Sequence, residues 1–202
     1  MLKSKYIIFC CLFLCSAKNL VAQHKISKYE YRWAFTHPFA AKKVQQHLKE
    51  SMQIYLDVKK SKQLDTLESG GTLDAFRHAF TMAYLSRFIK VKKLRKLGNA
   101  HEKGNRYFFY KNHQELGERA DSLACVMDLR NNELGFEIGK NNKNVPKDEL
   151  KNKIIEQIKA GNAWKLKKND QNLYVSCQNE PILIENYKGK WFLPKCLVRS
   201  ND

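Results

Sequence analysis

Long apolar runs and acidic residues are both scarce in this chain. The most apolar segment, residues 6–15, is about ten residues long, far short of the roughly 20 residues that cross a bilayer. No later segment is long and apolar enough to do so. Only 20 acidic residues oppose 37 lysines and arginines, so the formal net charge is +17. Such a charge favours polyanionic partners (nucleic acid, anionic lipid headgroups or acidic wall polymers), although it also serves solubility.

The motifs of well-known hydrolase classes are also missing. There is no His-Glu-x-x-His or Cys-x-x-Cys spacing for a metal, and no Gly-x-Ser-x-Gly turn for a serine nucleophile. The lysines are spread along the chain, with a local basic cluster only at residues 90–96, and no specific nucleic-acid motif is evident. Any chemical site must therefore be inferred from less specific patterns.

The N-terminus has the pattern of a secretory signal peptide. Basic residues precede the apolar segment, and Ala22 is a small residue at a plausible cleavage point. We therefore expect residues 1–22 to be removed and the mature protein to be exported, either to the periplasm or out of the cell. Loss of Lys3, Lys5 and Lys18 would lower the formal charge from +17 to +14. An uncleaved N-terminal anchor is the alternative.

The six cysteines divide into two groups. Three of them leave with the signal peptide: Cys10, Cys11 and Cys15. In an exported chain a Cys177–Cys196 disulfide is reasonable, and it would stabilise the fold by about 3 kcal/mol. Cys125 would then be a free thiol on an apolar helix, and we interpret it as a core residue.

Helical periodicity dominates the first part of the mature chain. Apolar residues at three- and four-residue steps predict a helix that opens at His37 and Pro38. A second helix, with Thr72 as its N-cap, is expected to end near Ile89. It is apolar around almost its whole circumference, which is typical of a central, buried helix.

Three further helices are predicted downstream. One covers residues 91–103 and stops at Gly104, before an irregular aromatic segment, and the next covers residues 115–139. Gly135, within that helix, would allow another backbone to come close. An amphipathic helix then ends at Gly161.

The C-terminal region changes period and predicts short strands at residues 173–177, 182–184 and 191–193. The expected fold is therefore mainly α, a bundle of about five helices around a central helix, with a small β-hairpin or three-strand appendage. The expected organisation begins with a signal peptide (residues 1–22) and an N-terminal extension (23–36). A helical domain with the polar site (37–161) follows, and a β-rich tail (162–202) packs on it.

Three short blocks place polar side chains inside apolar, helix-period segments. Residues 71–80 read Gly-Thr-Leu-Asp-Ala-Phe-Arg-His-Ala-Phe, residues 100–102 read Ala-His-Glu, and residues 127–135 read Met-Asp-Leu-Arg-Asn-Asn-Glu-Leu-Gly. Burial of such groups costs free energy unless they find partners or a ligand. We therefore expect the blocks to converge on one buried polar site.

A metal centre is one interpretation of this site. Asp74 and His78 are one helical turn apart, so both side chains can reach the same ion. His101 and Asp128 would add donors from neighbouring helices. The candidate cofactor is one divalent metal, zinc or calcium, and zinc would activate a bound water for attack at neutral pH.

An acid–base site without metal uses the same residues differently. His78 would be the general base and Glu102 the general acid, while Arg77 would clamp an anionic substrate group. Asn131 and Asn132 would orient substrate or stabilise developing charge. The candidate catalytic residues in either case are His78, His101, Glu102 and Asp128.

The leading functional hypothesis is hydrolysis of an anionic or envelope-derived substrate, with a phosphoester or phospholipid favoured. Two alternatives remain open. In the first, the polar network only holds the helices in register, and the protein is an envelope module that binds a polyanion or a protein partner. In the second, Glu102 protonates the leaving oxygen of a cell-wall glycan, as in a peptidoglycan hydrolase.

The three blocks together resemble an uncharacterised family of small helical bacterial domains. In that family Asp-Ala-x-Arg-His-Ala, Ala-His-Glu and Met-Asp-x-x-Asn-Asn-x-x-Gly occur in this order, and here the resemblance covers residues 37–139. It implies export, in some members at the ends of large toxin-like polypeptides, without naming a reaction. One departure is at Phe80 and Thr81, where such domains often carry tyrosine and then tryptophan. The resemblance implies a shared site at Asp74, Arg77, His78, His101, Glu102, Asp128, Asn131 and Asn132.

Overall fold

The structure is a computed structural model that describes residues 26–112 and 121–202. The expected signal peptide, with its cleavage point at Ala22, lies outside the described residues, and so does the predicted start of a helix at Glu115. Within the described residues, no helix combines the length and apolar character needed to span a membrane.

The described chain is mainly α-helical, which confirms the predicted fold class. A single turn of 3-10 helix covers Ile184–Tyr187, and two short strands, β1 (Trp164–Leu166) and β2 (Leu197–Arg199), pair antiparallel. The helices are α1 (Lys28–Thr36), α2 (Pro38–Ser61), α3 (Thr72–Ser86), α4 (Val91–Asn112), α5 (Ser122–Asn141) and α6 (Lys147–Lys159).

Helix α3 lies at the centre of the fold, as its all-round apolar sequence predicts. It packs against α2, α4, α5 and α6, and Leu73, Phe76 and Phe80 are almost completely buried. Its N-cap is Gly71 rather than Thr72, because Asp65 supplies the capping carboxylate from the preceding loop. The two Asp65 oxygens accept hydrogen bonds from Thr72 N (2.6 Å) and Leu73 N (3.1 Å). The helix ends at Ser86, before the expected end at Ile89.

Helix α1 was not predicted, and it occupies most of the segment expected to be an extension. The Ser27 hydroxyl accepts a hydrogen bond from Glu30 N (3.3 Å), and the Glu30 carboxylate accepts one from Ser27 N (2.8 Å). This reciprocal pair is a capping box and starts the helix. Trp33 is buried and donates from Nε1 to Lys93 O (2.9 Å), which fixes α1 against the start of α4.

The predicted stop at Gly104 is wrong, because α4 continues through it to Asn112. A Cβ atom at Gly104 would lie 2.5 Å from the Ser27 hydroxyl oxygen. The glycine therefore makes room for the first residues of α1 and does not end the helix. As a result, the aromatic residues that follow, expected to be irregular, lie on α4.

The close approach expected at Gly135 is present, between α5 and α3. A Cβ atom at Gly135 would lie 2.2 Å from Ala79 O, and one at Gly139 would lie 2.6 Å from Ala83 O. Both neighbours are backbone atoms. Glycines one turn apart thus allow the two helices to pack backbone against backbone, and this sets the spacing of the polar residues one and two turns before Gly135.

The C-terminal tail is β-rich only in part, and its strands are not where periodicity placed them. Within residues 173–177 only Tyr174 and Val175 form isolated bridges, and of residues 182–184 only Ile184 is in a regular element, the 3-10 turn. Residues 191–193 are irregular. The actual strands pair Leu166 with Leu197 across a long connection. The disulfide between Cys177 and Cys196, the pair expected from the sequence, closes much of that connection.

Candidate functional site

Two of the three polar blocks meet between α3 and α5. His78 Nε2 lies 3.3 Å from Asp128 Oδ1 and 3.6 Å from Asp74 Oδ1. One donor atom from each of the three residues lies within 4.8 Å of the other two, and this group could hold a metal ion. Asp74 and His78 are one turn apart on α3, and the close packing at Gly135 brings Asp128 within reach from α5.

The three side chains are almost removed from solvent. Their exposed fractions are 4% for Asp74, 10% for His78 and 12% for Asp128. Burial, together with the charges of Asp74 and Glu102, raises the pKa of Asp128 well above its ordinary value. The oxygen Oδ1 of Asp128 is buried and has no hydrogen-bond partner among the described residues.

His78 is held as a neutral imidazole. Burial and the nearby charges of Arg77 and His101 lower its pKa well below the ordinary value. Its Nδ1 lies 3.3 Å from Asn132 Oδ1, which can only accept a hydrogen bond, so we assign the proton to Nδ1. Nε2 is then an acceptor that faces both Arg77 Nη2 (3.3 Å) and Asp128 Oδ1 (3.3 Å), and it is free of a proton to bind a cation.

Asp74 joins this cluster to the loop before α3. Its Oδ2 accepts a hydrogen bond from Gly70 N (2.8 Å), and its Oδ1 accepts one from Arg77 Nη2 (2.5 Å). Gly70 has a φ of 74°, in the left-handed region that favours glycine. Its carbonyl accepts a hydrogen bond from Leu166 N of β1 (2.7 Å), so the tail also supports Asp74 indirectly.

Arg77 lies at the edge of the cluster. Its side chain is 38% exposed, and its Nη2 lies 3.3 Å from His78 Nε2. Burial opposes its charge, but the charges of Asp74 and Asp128 outweigh this effect and raise the pKa of Arg77. It is a permanent cation that contacts both the buried carboxylate and solvent, as expected for a residue that clamps an anionic group.

The two asparagines predicted to bind substrate have different surroundings. Asn132 orients His78, as described above. Asn131 donates from Nδ2 to Trp164 O (2.9 Å) and accepts from Trp164 N at Oδ1 (2.9 Å). Both ends of its amide are therefore used to hold β1 on α5. Thr81, which shares the polar strip on α3, bonds instead to Ser51 of α2.

The third block, on α4, lies next to this cluster but forms its own contacts. His101 Nδ1 lies 3.1 Å from Glu30 Oε1 of α1, and His101 is not among the residues that could hold the metal. Burial disfavours its charged form, but the hydrogen bond with Glu30 and the charges of Glu102 and Glu30 raise the pKa of His101.

Glu102 is buried and accepts a hydrogen bond from Asn105 Nδ2 (2.9 Å). It lines an open cavity of about 250 Å³ together with Cys125 and Trp191. Cys125 is a free, buried thiol, as expected, and burial and the nearby charge of Glu102 raise its pKa. These properties make Cys125 an unreactive core residue.

Sequence reasoning missed two sets of charged contacts around the site. The Ser27-x-x-Glu30 spacing is a capping-box signature, and it would have indicated both α1 and the acidic partner of His101. The ion pair between Lys195 and Asp121, with side chains 4% and 1% exposed, joins the tail to the start of α5. No local pattern in the sequence indicates that pair.

Comparisons with known proteins identify the family alone. No curated protein and no solved structure matches the chain significantly. One family model, described as "Domain of unknown function (DUF6973)", matches residues 31–162, which is more of the chain than the three blocks span. The match includes part of α1 and all of α2 to α6, and it confirms the expected membership of an uncharacterised family. The chain therefore belongs to the DUF6973 family, a domain of unknown function.

Proposed function

We propose that this protein is an exported hydrolase that binds one divalent metal at Asp74, His78 and Asp128 and acts on an anionic phosphoester. The observation that carries the proposal is the convergence of three donor atoms within 4.8 Å in a buried position. Arg77 pairs with Asp74, but Asp128 Oδ1 is buried without a hydrogen-bond partner among the described residues, and an unpaired buried carboxylate is costly. A metal ion would remove that cost.

The donor set favours zinc over calcium. Zinc accepts imidazole nitrogen and carboxylate oxygen together, whereas calcium prefers oxygen ligands only. Three protein ligands leave a fourth position for water, and zinc lowers the pKa of a bound water to about 7. Asn132 would fix the orientation of His78 through Nδ1, as the outer partner of a metal-bound histidine commonly does.

An anionic substrate is supported by Arg77. Its guanidinium is charged at all relevant pH values, contacts Asp74 and is partly exposed. A phosphoryl group bound beside it would lie next to the proposed metal and its water. The Cys177–Cys196 disulfide supports the export part of the proposal, since disulfides persist mainly outside the reducing cytosol.

Metal binding and activity can be tested on the same protein. We expect purified protein to bind about one zinc per chain and to hydrolyse bis(p-nitrophenyl) phosphate, and we expect chelator to abolish this activity and added zinc to restore it. Asp128→Asn should lose both properties while the metal-free protein melts at the same or a higher temperature, because a poorly solvated carboxylate has been removed. Glu137→Gln, an exposed change on the same helix, is the matched control and should behave as the wild type.

The structural alternative predicts different results. If Asp74, His78 and Asp128 only hold α3 against α5, the wild type should bind no zinc at micromolar concentrations. In that case Asp128→Asn and His78→Ala should both lower the free energy of unfolding. That pair of results would overturn the proposal.

The cavity at Glu102 favours peptidoglycan hydrolysis as a second candidate. A buried carboxyl group in a cavity that Trp191 also lines has the composition of a glycan site, in which such a group protonates the leaving oxygen. Glu102→Gln would then abolish release of soluble fragments from purified peptidoglycan. The same variant should keep its zinc and its phosphoesterase activity if the main proposal is correct.

A further inference from the structure

A second candidate site lies between the start of α1 and the C-terminal half of α4, away from the Asp74–His78–Asp128 cluster. It is an open groove of about 680 Å³, within the usual range of ligand sites. Among the described residues, its lining consists of tyrosine, lysine and arginine side chains: Tyr29, Lys103, Arg106, Tyr107, Tyr110 and Lys111. We call this surface the tyrosine–lysine groove.

The groove exists because α4 does not stop at Gly104. Lys103 lies four residues before Tyr107, and Tyr110 and Lys111 lie three and four residues after it, so the continued helix presents them on one side. The sequence does not reveal this platform if the helix is taken to end at Gly104. Tyr29 is added from α1, with its ring centroid 6.3 Å from that of Tyr107.

Positive charge in the groove lies close to the aromatic rings. Lys28 Nζ is 4.5 Å and Lys111 Nζ 5.6 Å from the centroid of the Tyr107 ring, and the Arg106 guanidinium is 5.8 Å from that of Tyr110. None of the acidic residues in the ranges 26–112 and 121–202 lines the groove. A ligand therefore meets several cations and flat aromatic surfaces at the same place.

These features match single-stranded nucleic acid better than lipid or glycan. Proteins that bind single strands without sequence preference combine a cationic groove for the phosphates with aromatic rings on which bases stack. Sites for sugar hydroxyls usually need carboxylate or amide groups, and no described lining residue carries one. An anionic lipid surface would also attract the basic side chains, but such a surface is flat, whereas this site is a groove. We infer that the tyrosine–lysine groove binds single-stranded nucleic acid, with its phosphates on the lysines and a base against Tyr107.

The inference can be tested by fluorescence anisotropy with the full chain and a labelled oligothymidylate of about 12 nucleotides. Chelator is present throughout, so that the proposed metal site does not contribute. We expect Tyr107→Ala to weaken binding about ten-fold through the lost stacking, and Tyr107→Phe to bind like the wild type. Lys103→Gln with Lys111→Gln should reduce the slope of log affinity against log salt by about 1.4, since each single-strand phosphate contact contributes about 0.7.

A matched pair of lysines controls for net charge. Lys92 and Lys96 lie on the N-terminal half of α4 and are exposed, as are Lys103 and Lys111. Lys92→Gln with Lys96→Gln removes the same charge, and we expect it to change the affinity by less than about two-fold. Circular dichroism melts would verify that each variant is folded.

Four results would overturn the inference. The first is no binding of the oligonucleotide at low salt. The second is equal loss of affinity in both lysine pairs, which would indicate general charge attraction. The third is binding that needs the lysines but not the Tyr107 ring. The fourth is binding to vesicles of anionic lipid without binding to the oligonucleotide. Asp128→Asn should leave oligonucleotide binding unchanged, so failure here and failure of the hydrolase proposal can be told apart.

Discussion

Replacement of Gly135 by alanine is the sharpest test of how the fold builds the cluster. The new Cβ would lie 2.2 Å from Ala79 O, 2.9 Å from Ala79 C and 3.0 Å from Ala79 Cα. All three atoms belong to the backbone of α3, so no side chain can rotate away. Relief of the contact requires α3 and α5 to separate by roughly 1 Å, which is an overpacking change in a well-packed core.

The expected loss of stability follows from two opposing effects. Overpacking of this kind costs about 3 kcal/mol when the neighbour is rigid, whereas alanine is favoured over glycine within a helix by about 1 kcal/mol. The free energy of unfolding should therefore fall by about 2 kcal/mol, which corresponds to a drop of about 4–8 °C in melting temperature for a chain of this size. The same separation would move Asp128 away from His78, so zinc binding should weaken as well.

Denaturant unfolding and zinc titration of the same samples would measure both effects. Gly98→Ala is the matched control for the unfolding measurement alone, because its nearest neighbour is a side-chain atom, Asn132 Nδ2, at 3.0 Å, which can shift by a few tenths of an ångström. It is not a control for zinc binding, since Asn132 orients His78. We expect this control to unfold within about 1 kcal/mol of the wild type. If Gly135→Ala unfolds at the wild-type denaturant concentration, the backbone contact between the two helices does not exist as described.

Three further predictions concern charged groups around the core. The pKa of His101 is raised in the folded protein, so its pair with Glu30 stabilises the fold when the imidazole is protonated. This stabilisation should be complete below the ordinary histidine pKa of about 6.5 and should be lost as the pH rises through the raised pKa. Glu30→Gln should therefore flatten the dependence of the denaturation midpoint on pH in this region, and an unchanged profile would contradict the assignment. Lys195→Met should lower the free energy of unfolding by about 3 kcal/mol, because Asp121 is left buried without its cation. Adding Asp121→Asn to this variant should restore part of the loss, as measured by denaturant unfolding. Asp65→Ala removes the carboxylate that caps α3 and should cost about 1–2 kcal/mol, so a melting temperature equal to that of the wild type would show that the cap contributes nothing.

The sequence was sufficient to predict what depends on local periodicity. The all-round apolar pattern located the central helix, and the four-residue spacing of Asp74 and His78 placed both on one side of it. Gly135 correctly indicated a close helix contact, and this contact brings Asp128 to the other two. Three of the four residues predicted as metal ligands are therefore together in the structure, while His101 is paired with α1.

The features that sequence reasoning missed depend on contacts between distant segments. A glycine inside a helical pattern can end the helix, or it can leave space for another segment to pack closely. At Gly104 the second applies because α1 packs there, and the local sequence does not show this contact. The strands behave similarly, because β1 and β2 pair across a long connection and each is only three residues long. The alternation of apolar and polar residues within 173–177 favours a strand, but the neighbouring segments form only isolated bridges with these residues.

The support that β1 gives to the cluster has a practical consequence for work on this family. The family match ends at residue 162, before β1. Leu166 of β1 hydrogen-bonds to Gly70, which hydrogen-bonds to Asp74. Trp164 of β1 forms two hydrogen bonds with the side-chain amide of Asn131. A recombinant fragment that ends at residue 162 would lack β1, which supports Asp74 through Gly70. If such a fragment is inactive, the cause is the absence of β1, and the result gives no information on the activity of the intact protein.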